Sequence, residues 1–332
     1  MRIPPEYKIT PEIVELIAKI DANRMFFNSI PILPEIKNKI QRVSLLKSSL
    51  YSARIEGNPL TIDEIETSTD SQKKLEVFNI LSGIRYIQTN KMQKEVVEKK
   101  DILELHRLVL KSLSESSGHL RNEMSAIFNQ AGVAIYLPPP PSQIPDLLAK
   151  LITYINSDEE KFPLITALIS HLIFEKIHPF IDGNGRTGRL MVLLVLVKKN
   201  WGFNLNIVLE EYLDNHKEEY YHFLDVGMKQ PEDYLLFMLR AFWAQSEKIK
   251  SQIAIEMERK EQVILPPRQE EIYNIIVDHN MSSFDIIRRR FLNVPERTLR
   301  YDLKKLQEKN LIRKIGCTKG TYYNIVTDSN RN

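Results

Sequence analysis

Two stretches of this chain have no polar face. From Pro163 to Glu175, and again from Leu190 to Val197, apolar residues stand at nearly every position. A helix that is apolar all round must be buried, so both belong at the centre of a helical bundle. Whatever joins them therefore sits on rigid supports. The joining segment is His178-Pro179-Phe180-Ile181-Asp182-Gly183-Asn184-Gly185-Arg186-Thr187-Gly188-Arg189, which holds three of the chain's 11 glycines and two arginines. Neither apolar stretch reaches the roughly 18 residues of a membrane span, and the start MRIPPEYKIT has no apolar leader core. Neither export nor membrane spanning is expected.

The remainder reads as mostly α, with apolar residues at three- and four-residue spacing through Ile13 to Ile20, Ile36 to Leu50, Asp63 to Gln88, Asp101 to Leu113 and Ile144 to Ile155. One interruption, Ala126 to Leu137, is β-prone, is split by Gln130 to Gly132, and precedes four prolines, Pro138 to Pro141. It predicts a short β-hairpin with a stiff exit. A long amphipathic helix from about Tyr234 to Val263 ends at Leu265-Pro266-Pro267, where a domain boundary is expected. Beyond it the order is helix (Gln269 to His279), short helix (Ser283 to Phe291), turn, helix (Glu296 to Lys309) and two β-prone stretches, Ile312 to Gly316 and Thr321 to Val326. That is the pattern of a winged helix-turn-helix. At 332 residues the chain is long enough for two domains or more. The expected division is a helical region over 1–100, a core over 101–264 and a winged helix over 265–332.

Composition excludes disorder and fibres, with 43% apolar and 27% charged residues. The net charge of +3 hides a split: from Leu265 onward 13 Lys and Arg face 8 Asp and Glu, leaving the body slightly acidic. A single cysteine, Cys317, can form neither an internal disulfide nor a Cys-based zinc site, and fits a cytoplasmic protein.

The glycine and arginine segment is a turn entering a helix, with bare backbone N–H groups, a positive helix end and two guanidinium forks. Those are the elements that hold phosphates. Asp182 can offer oxygen to Mg²⁺, the usual companion of polyphosphates. His178, at the mouth of this nest, suits the acceptance of a proton from a hydroxyl. A helix-capping turn with solvated arginines is the alternative, which the density of functional groups disfavours. No Walker A loop or Rossmann fingerprint is present.

The segment resembles the signature of the Fic family, His-Pro-Phe-x-x-Gly-Asn-Gly-Arg-x-x-Arg with an acidic residue before the first glycine, and every signature position is matched. The resemblance implies a mainly α fold, a Fic-type helical bundle with a short β-hairpin flap, and transfer of AMP from ATP to a Ser, Thr or Tyr hydroxyl of a target protein. It implies His178 as general base, Asp182 as Mg²⁺ ligand, Gly183, Asn184, Gly185 and Arg186 as an anion hole for phosphates, with Thr187 and Gly188 in the same binding turn, and Arg189 at the γ-phosphate. Val133, Ala134, Ile135 and Tyr136 look like the family's flap, which clamps the target by strand addition. Tyr220, with Tyr221, looks like the tyrosine pair near the adenine. Some relatives transfer UMP or phosphocholine, or phosphorylate, so the group moved stays open.

A second motif, Ser52-Ala53-Arg54-Ile55-Glu56-Gly57-Asn58, reads by itself as a helix end, with Gly57 and Asn58 at the cap and Pro59 beyond. Beside the first motif it looks like the Fic inhibitory pattern, Ser/Thr-x-x-x-Glu-Gly/Asn. The resemblance implies that Glu56, with Ser52, holds Arg189 away from the γ-phosphate. In some relatives the same glutamate orients a water that removes AMP.

His171, Glu175 and His178 recur at metal-ligand spacing, but not in His-Glu-x-x-His order. His106 and His222 read as partly buried helix residues, and Arg121 as either a flap support or a carboxylate partner. The tail offers Arg297, Arg300, Lys304 and Lys305 on one helix and Arg313, Lys314 and Lys319 on the wing, so a DNA-binding regulator or adaptor working through 265–326 is the competing function. ATP, a target protein that includes the chain itself, and a homodimer partner complete the expected partners.

Overall fold

A computed structural model describes residues 1–89, 96–128, 134–261, 265–279, 281–316 and 321–326. The chain divides into two compact units, Met1–Ala254 and Ile255–Asn332.

The first unit is a helical bundle. Thr10 caps α1 (Pro11–Ser29) by accepting from the Ile13 N–H. Then come α2 (Pro34–Ile55), a single turn α3 (Glu64–Thr67) and α4 (Ser71–Gln88). The periodicity predicts one helix from Asp63 to Gln88. The chain instead breaks at Ser68–Asp70, because Asp70 turns its carboxylate onto the Gln72 and Lys73 N–H groups at 3.1 and 3.0 Å and starts α4 afresh. A capping box between Glu98 and Asp101 starts α5 (Lys99–Val109), which stops short of the expected Leu113. The hairpin follows, β1 (Ile127–Phe128) antiparallel to β2 (Ala134–Tyr136), with Ile127 opposite Tyr136. The bundle closes with α6 (Ile144–Asn156), α7 (Pro163–Ile177), α8 (Asn184–Lys198), α9 (Leu209–Asn215), α10 (Lys217–Val226) and α11 (Pro231–Glu261).

Helices α7 and α8 pack on each other at the centre, and every residue of α7 from Leu164 to Ile177 is buried, as its unbroken apolar character demands. One core runs from Ile13 to Phe242, so the regions expected over 1–100 and 101–264 share a single hydrophobic interior. No helix among the described residues is long and apolar enough to cross a membrane.

The second unit has its own core of Leu265, Ile272, Ile276, Ile287, Phe291, Leu299, Leu303, Leu306, Ile312 and Tyr323. Its elements are α12 (Pro267–Asp278), β3 (Ser282–Ser283), α13 (Phe284–Arg290), α14 (Glu296–Glu308), β4 (Ile312–Ile315) and β5 (Tyr322–Ile325). The strands form an antiparallel sheet in the order β3-β5-β4. Strand β3 is two serines with no apolar signal, and only its pairing with Tyr322 and Tyr323 makes it a strand. Cys317 and Lys319 lie outside the described residues.

Candidate active site

The turn between α7 and α8 is fixed from four sides. His178 ends α7 in the left-handed region, at φ 48° and ψ 61°, and Pro179 prevents the helix from continuing. Arg121, almost fully buried, donates from Nε to the His178 carbonyl at 2.8 Å and from its other nitrogens to the carbonyls of Glu123 and Pro139. It joins the histidine to both ends of the hairpin. Asn184 closes the turn reciprocally: its Oδ1 accepts from Phe180 N at 3.0 Å and its Nδ2 donates to Phe180 O at 2.9 Å. His106, wholly buried, stacks on Phe180 with ring centres 3.6 Å apart. Its Nδ1 accepts from Gly118 N at 2.9 Å, so Nε2 carries the proton and donates to the Asp182 carbonyl at 3.0 Å. Burial pushes this imidazole's pKa down to about 4.

Helix α8 begins at Asn184, with Gly183 at φ 75° before it. Six residues of the signature therefore obey helical phase. Asn184, Thr187, Gly188 and Met191 form the stripe that faces the interior, all of them buried. At Gly188 a Cβ would come within 2.1 Å of Glu175 Oε1. The inward turn concerns the side chains of Asn184 and Thr187 and the Cα face of Gly188. The Asn184 side-chain amide is engaged by Phe180, the Thr187 side chain is fully buried, and Gly188 admits a neighbouring helix. Ahead of the first intrahelical bond (Thr187 N to Gly183 O) the N–H groups of Asn184, Gly185 and Arg186 have no partner within the helix, whereas Gly183 N donates to Asp182 Oδ1 at 2.6 Å and both arginines are buried.

Arg186 lies along Asp182, with Nη2 at 3.0 and 3.1 Å from its two oxygens. Asp182 itself is outward, its side chain 62% exposed. Arg189 is nearly covered: its side chain is 2% exposed and that of Glu56, over it, 34%. Nη2 donates to Glu56 Oε1 at 2.9 Å and to the Ser52 carbonyl at 2.8 Å, while Nε donates to Ser52 Oγ at 3.0 Å. Burial opposes the guanidinium charge, and Glu56 together with Tyr220 and Tyr221 outweighs it, holding the Arg189 pKa above its ordinary value. Gly185 is required beneath this pair, since a Cβ there would come within 2.2 Å of Glu56 Oε1. Glu56 is also the C-cap of α2, followed by Gly57 at φ 98°, so the helix-end reading and the arginine contact hold together.

His178 is mostly buried, and burial pushes its pKa down to about 4, so the ring is neutral at pH 7. Its Nδ1 makes no hydrogen bond, and neither do the buried atoms Arg186 Nε, Thr187 Oγ1 and Glu175 Oε1. Such atoms cost on the order of 1–3 kcal/mol each and collect where a site is built for something else.

Behind Arg189 lies a tyrosine and histidine network. Tyr234 OH donates to Leu168 O at 3.1 Å, so it accepts from His171 Nδ1 at 2.7 Å, and His171 Nε2 in turn accepts from Tyr220 OH at 3.1 Å. Both ring nitrogens of His171 are thereby engaged. Among the described residues, no group of three or more His, Cys, Asp and Glu is placed to hold a metal. Tyr220 is 1% exposed, because α10 buries positions 220 and 224. Tyr221 is 42% exposed and donates to the Ile55 carbonyl at 3.2 Å. The expected tyrosine pair thus splits between core and surface.

Glu175 is buried against Gly188, and its carboxyl pKa is pushed up to about 8, chiefly by burial, with Glu56 adding and Arg189 opposing. Unfolded, it ionises near 4.5, so the stability this neutral acid contributes is complete below that pH and is lost as the pH rises toward 8. Glu175→Gln, which cannot ionise, should gain melting temperature relative to the unaltered chain as the pH rises through this window. Parallel melting curves for the two proteins would contradict a neutral Glu175.

In the hairpin, Tyr136 OH donates to the Lys176 carbonyl at 2.8 Å, and Lys176 Nζ sits 4.1 Å over the Tyr136 ring. Tyr136 therefore anchors the hairpin to the end of α7, beside His178. Ala134 and Ile135 lie on β2. Val133 is outside the described residues. Of the two readings left open for Arg121, it is the support of the hairpin and turn that its bonds show, while the support given by His106 is what sequence reasoning missed, with no spacing to mark it.

Fold and site together define a helical bundle that presents an arginine-bearing helix N-terminus beneath the acidic end of another helix. Residues 96–196 match the model of the Fic/DOC family. It is 29% identical over 223 residues to protein adenylyltransferase Fic of Drosophila willistoni, covering 64% of this chain and 42% of that one. It is 30% identical over 163 residues to a probable protein adenylyltransferase of Aquifex aeolicus, covering 46% and 48%. The chain thus spans less than half the length of these curated relatives. Among solved structures, a Fic family protein from Desulfovibrio desulfuricans superposes with a TM-score of 0.73 at 23% identity over 98% of both chains. A Fic domain containing signaling protein from Bacteroides thetaiotaomicron does so with a TM-score of 0.60 at 18% identity, over 73% of this chain and 97% of that one. At these identities the likeness is one of fold.

Proposed function

We propose that the chain is a protein adenylyltransferase that moves AMP from ATP to a Ser, Thr or Tyr hydroxyl and is held inactive by its own Glu56. The observation that carries this reading is the Glu56–Arg189 pair at 2.9 Å, placed at the open end of the α8 turn. In this account Gly183, Gly185 and the first N–H groups of α8 receive the phosphates, Arg186 stays beside them, and Arg189 takes the γ-phosphate once Glu56 has moved. His178 accepts the proton of the target hydroxyl. The oxygen bonds to the α-phosphorus as the bond to pyrophosphate breaks, and negative charge gathers where the helix end and arginines point. Asp182 fits a Mg²⁺ site: it is an outward carboxylate next to the phosphate turn, and one such ligand plus phosphate oxygens is an ordinary Mg²⁺ environment. The metal would supply charge neutralisation on the phosphates.

The position of an isotopic label separates AMP transfer from the other chemistries. Glu56→Gly chain incubated with ATP and Mg²⁺ should retain label from the α-phosphate in protein and none from the γ-phosphate. Retained γ-label would mean phosphorylation, and no retained label in a folded chain would overturn the reading.

A second reading concerns the second unit, whose three helices and three-stranded sheet we read as a winged helix. On α14 the exposed residues Arg297, Arg300, Tyr301 and Lys304 recur at helical spacing on one face, opposite Leu299, Leu303 and Leu306. Such a cationic stripe with an aromatic suits the phosphates of duplex DNA. Arg297→Ala with Lys304→Ala should weaken retention in a shift assay and flatten its salt dependence by about one unit per lost contact. An unaltered chain that leaves duplex DNA unshifted at low salt would exclude this reading.

A further inference from the structure

Glu56 reaches Arg189 from the very end of α2, through one hydrogen bond, with a third of its side chain in solvent. Past it the backbone reverses at Gly57 and leaves the helix. A hydrogen bond fails with about an ångström of movement, so the contact is only as firm as the last turn of the helix that carries it. That turn is held from the side. Arg54 Nε lies 3.1 Å from Asp214 Oδ2 at the end of α9, and Tyr221 OH on α10 donates to the Ile55 carbonyl at 3.2 Å, an acceptor that the helix end leaves without an intrahelical donor. These two contacts grip the two residues immediately before Glu56, where α2 must be fixed for its side chain to project correctly. About two turns earlier α2 and α9 meet again: Ser48 Oγ donates to the buried Glu210 carboxyl, and Lys47 lies 3.7 Å from Glu211, which Lys248 of α11 also holds at 2.7 Å.

We propose that Asp214 and Tyr221 are positioning residues of the inhibitory contact, a latch from α9 and α10 that keeps the last turn of α2 where Glu56 meets Arg189. This inference rests on the reading of Glu56 as a brake. It adds that the strength of the brake is set at a surface ion pair away from the phosphate turn, so that the inhibited state can be graded rather than switched only by loss of Glu56. Arg54 inside the inhibitory motif, a position its pattern leaves free, thereby has a role.

Asp214→Asn and Arg54→Gln should each raise AMP incorporation by about two- to fivefold, the range an ion pair of this exposure carries. The double variant should do no more than either alone, because both remove one contact. On a Glu56→Gly background neither should add anything. Tyr221→Phe should speed amide hydrogen exchange at Glu56, Gly57 and Asn58, whose N–H groups bond back to Ala53 and Arg54. No rise in the single variants, beside an active Glu56→Gly chain, overturns the latch and leaves the brake standing. An equal rise on the Glu56→Gly background also overturns it, since the pair would then act on transfer itself. Inactivity of Glu56→Gly overturns brake and latch together.

Discussion

His178→Ala should lower AMP transfer by about 10²- to 10⁴-fold, the usual worth of a positioned general base, while ATP binding persists. Binding and proton transfer fall to different groups here. In the proposed reaction the phosphates meet α8 and its arginines, whereas His178 belongs to the end of α7 and is held through its own carbonyl by Arg121. Burial keeps the ring neutral, so at pH 7 essentially every molecule has the lone pair that the hydroxyl proton needs. The ring's removal leaves Asn184 closing the turn and His106 under it, so the anion site should keep its shape. Incorporation of labelled AMP on the Glu56→Gly background, with ATP affinity measured in parallel, tests this. Unchanged transfer would remove His178 from the reaction, and lost affinity would make it a binding residue.

Glu56→Gly should raise transfer about ten- to hundredfold, corresponding to one hydrogen bond between charged groups that the γ-phosphate no longer has to displace. Arg189 would keep its two bonds to Ser52, and so stay oriented while presenting a free nitrogen. Ser52 and Glu56 consequently do different work: one aims the guanidinium, the other occupies it. Ser52→Ala should loosen Arg189 and release less activity than Glu56→Gly. Equal rates for the unaltered and Glu56→Gly chains would show that Arg189 is not the point of control.

How much of this could be read from sequence follows from which interactions are local. The two central helices are legible because a segment apolar on every side has one place to go, and the turn between them because its glycines and arginines are contiguous. The direction of each side chain in that turn is less legible. A signature read as a string does not say which way its residues face, while a helix that starts at Asn184 turns the side chains of Asn184 and Thr187 and the Cα face of Gly188 inward. Tyr220 and Tyr221 pose the same problem, although Leu224, four residues on and buried, was a usable sign of the phase. The contact of Glu56 with Arg189 spans 133 residues, and only the resemblance of both motifs to one family connects them in sequence. Arg121 and His106 act by hydrogen bonds to backbone carbonyls, which carry no residue identity to recognise.

The most direct test of the central claim is mass spectrometry of the Glu56→Gly chain, and of extract proteins incubated with it, after exposure to ATP and Mg²⁺, beside the Glu56→Gly, His178→Ala chain. The account predicts adenylyl additions on hydroxyl side chains with the first protein and none with the second. Additions of another mass, or the same additions without His178, would contradict it.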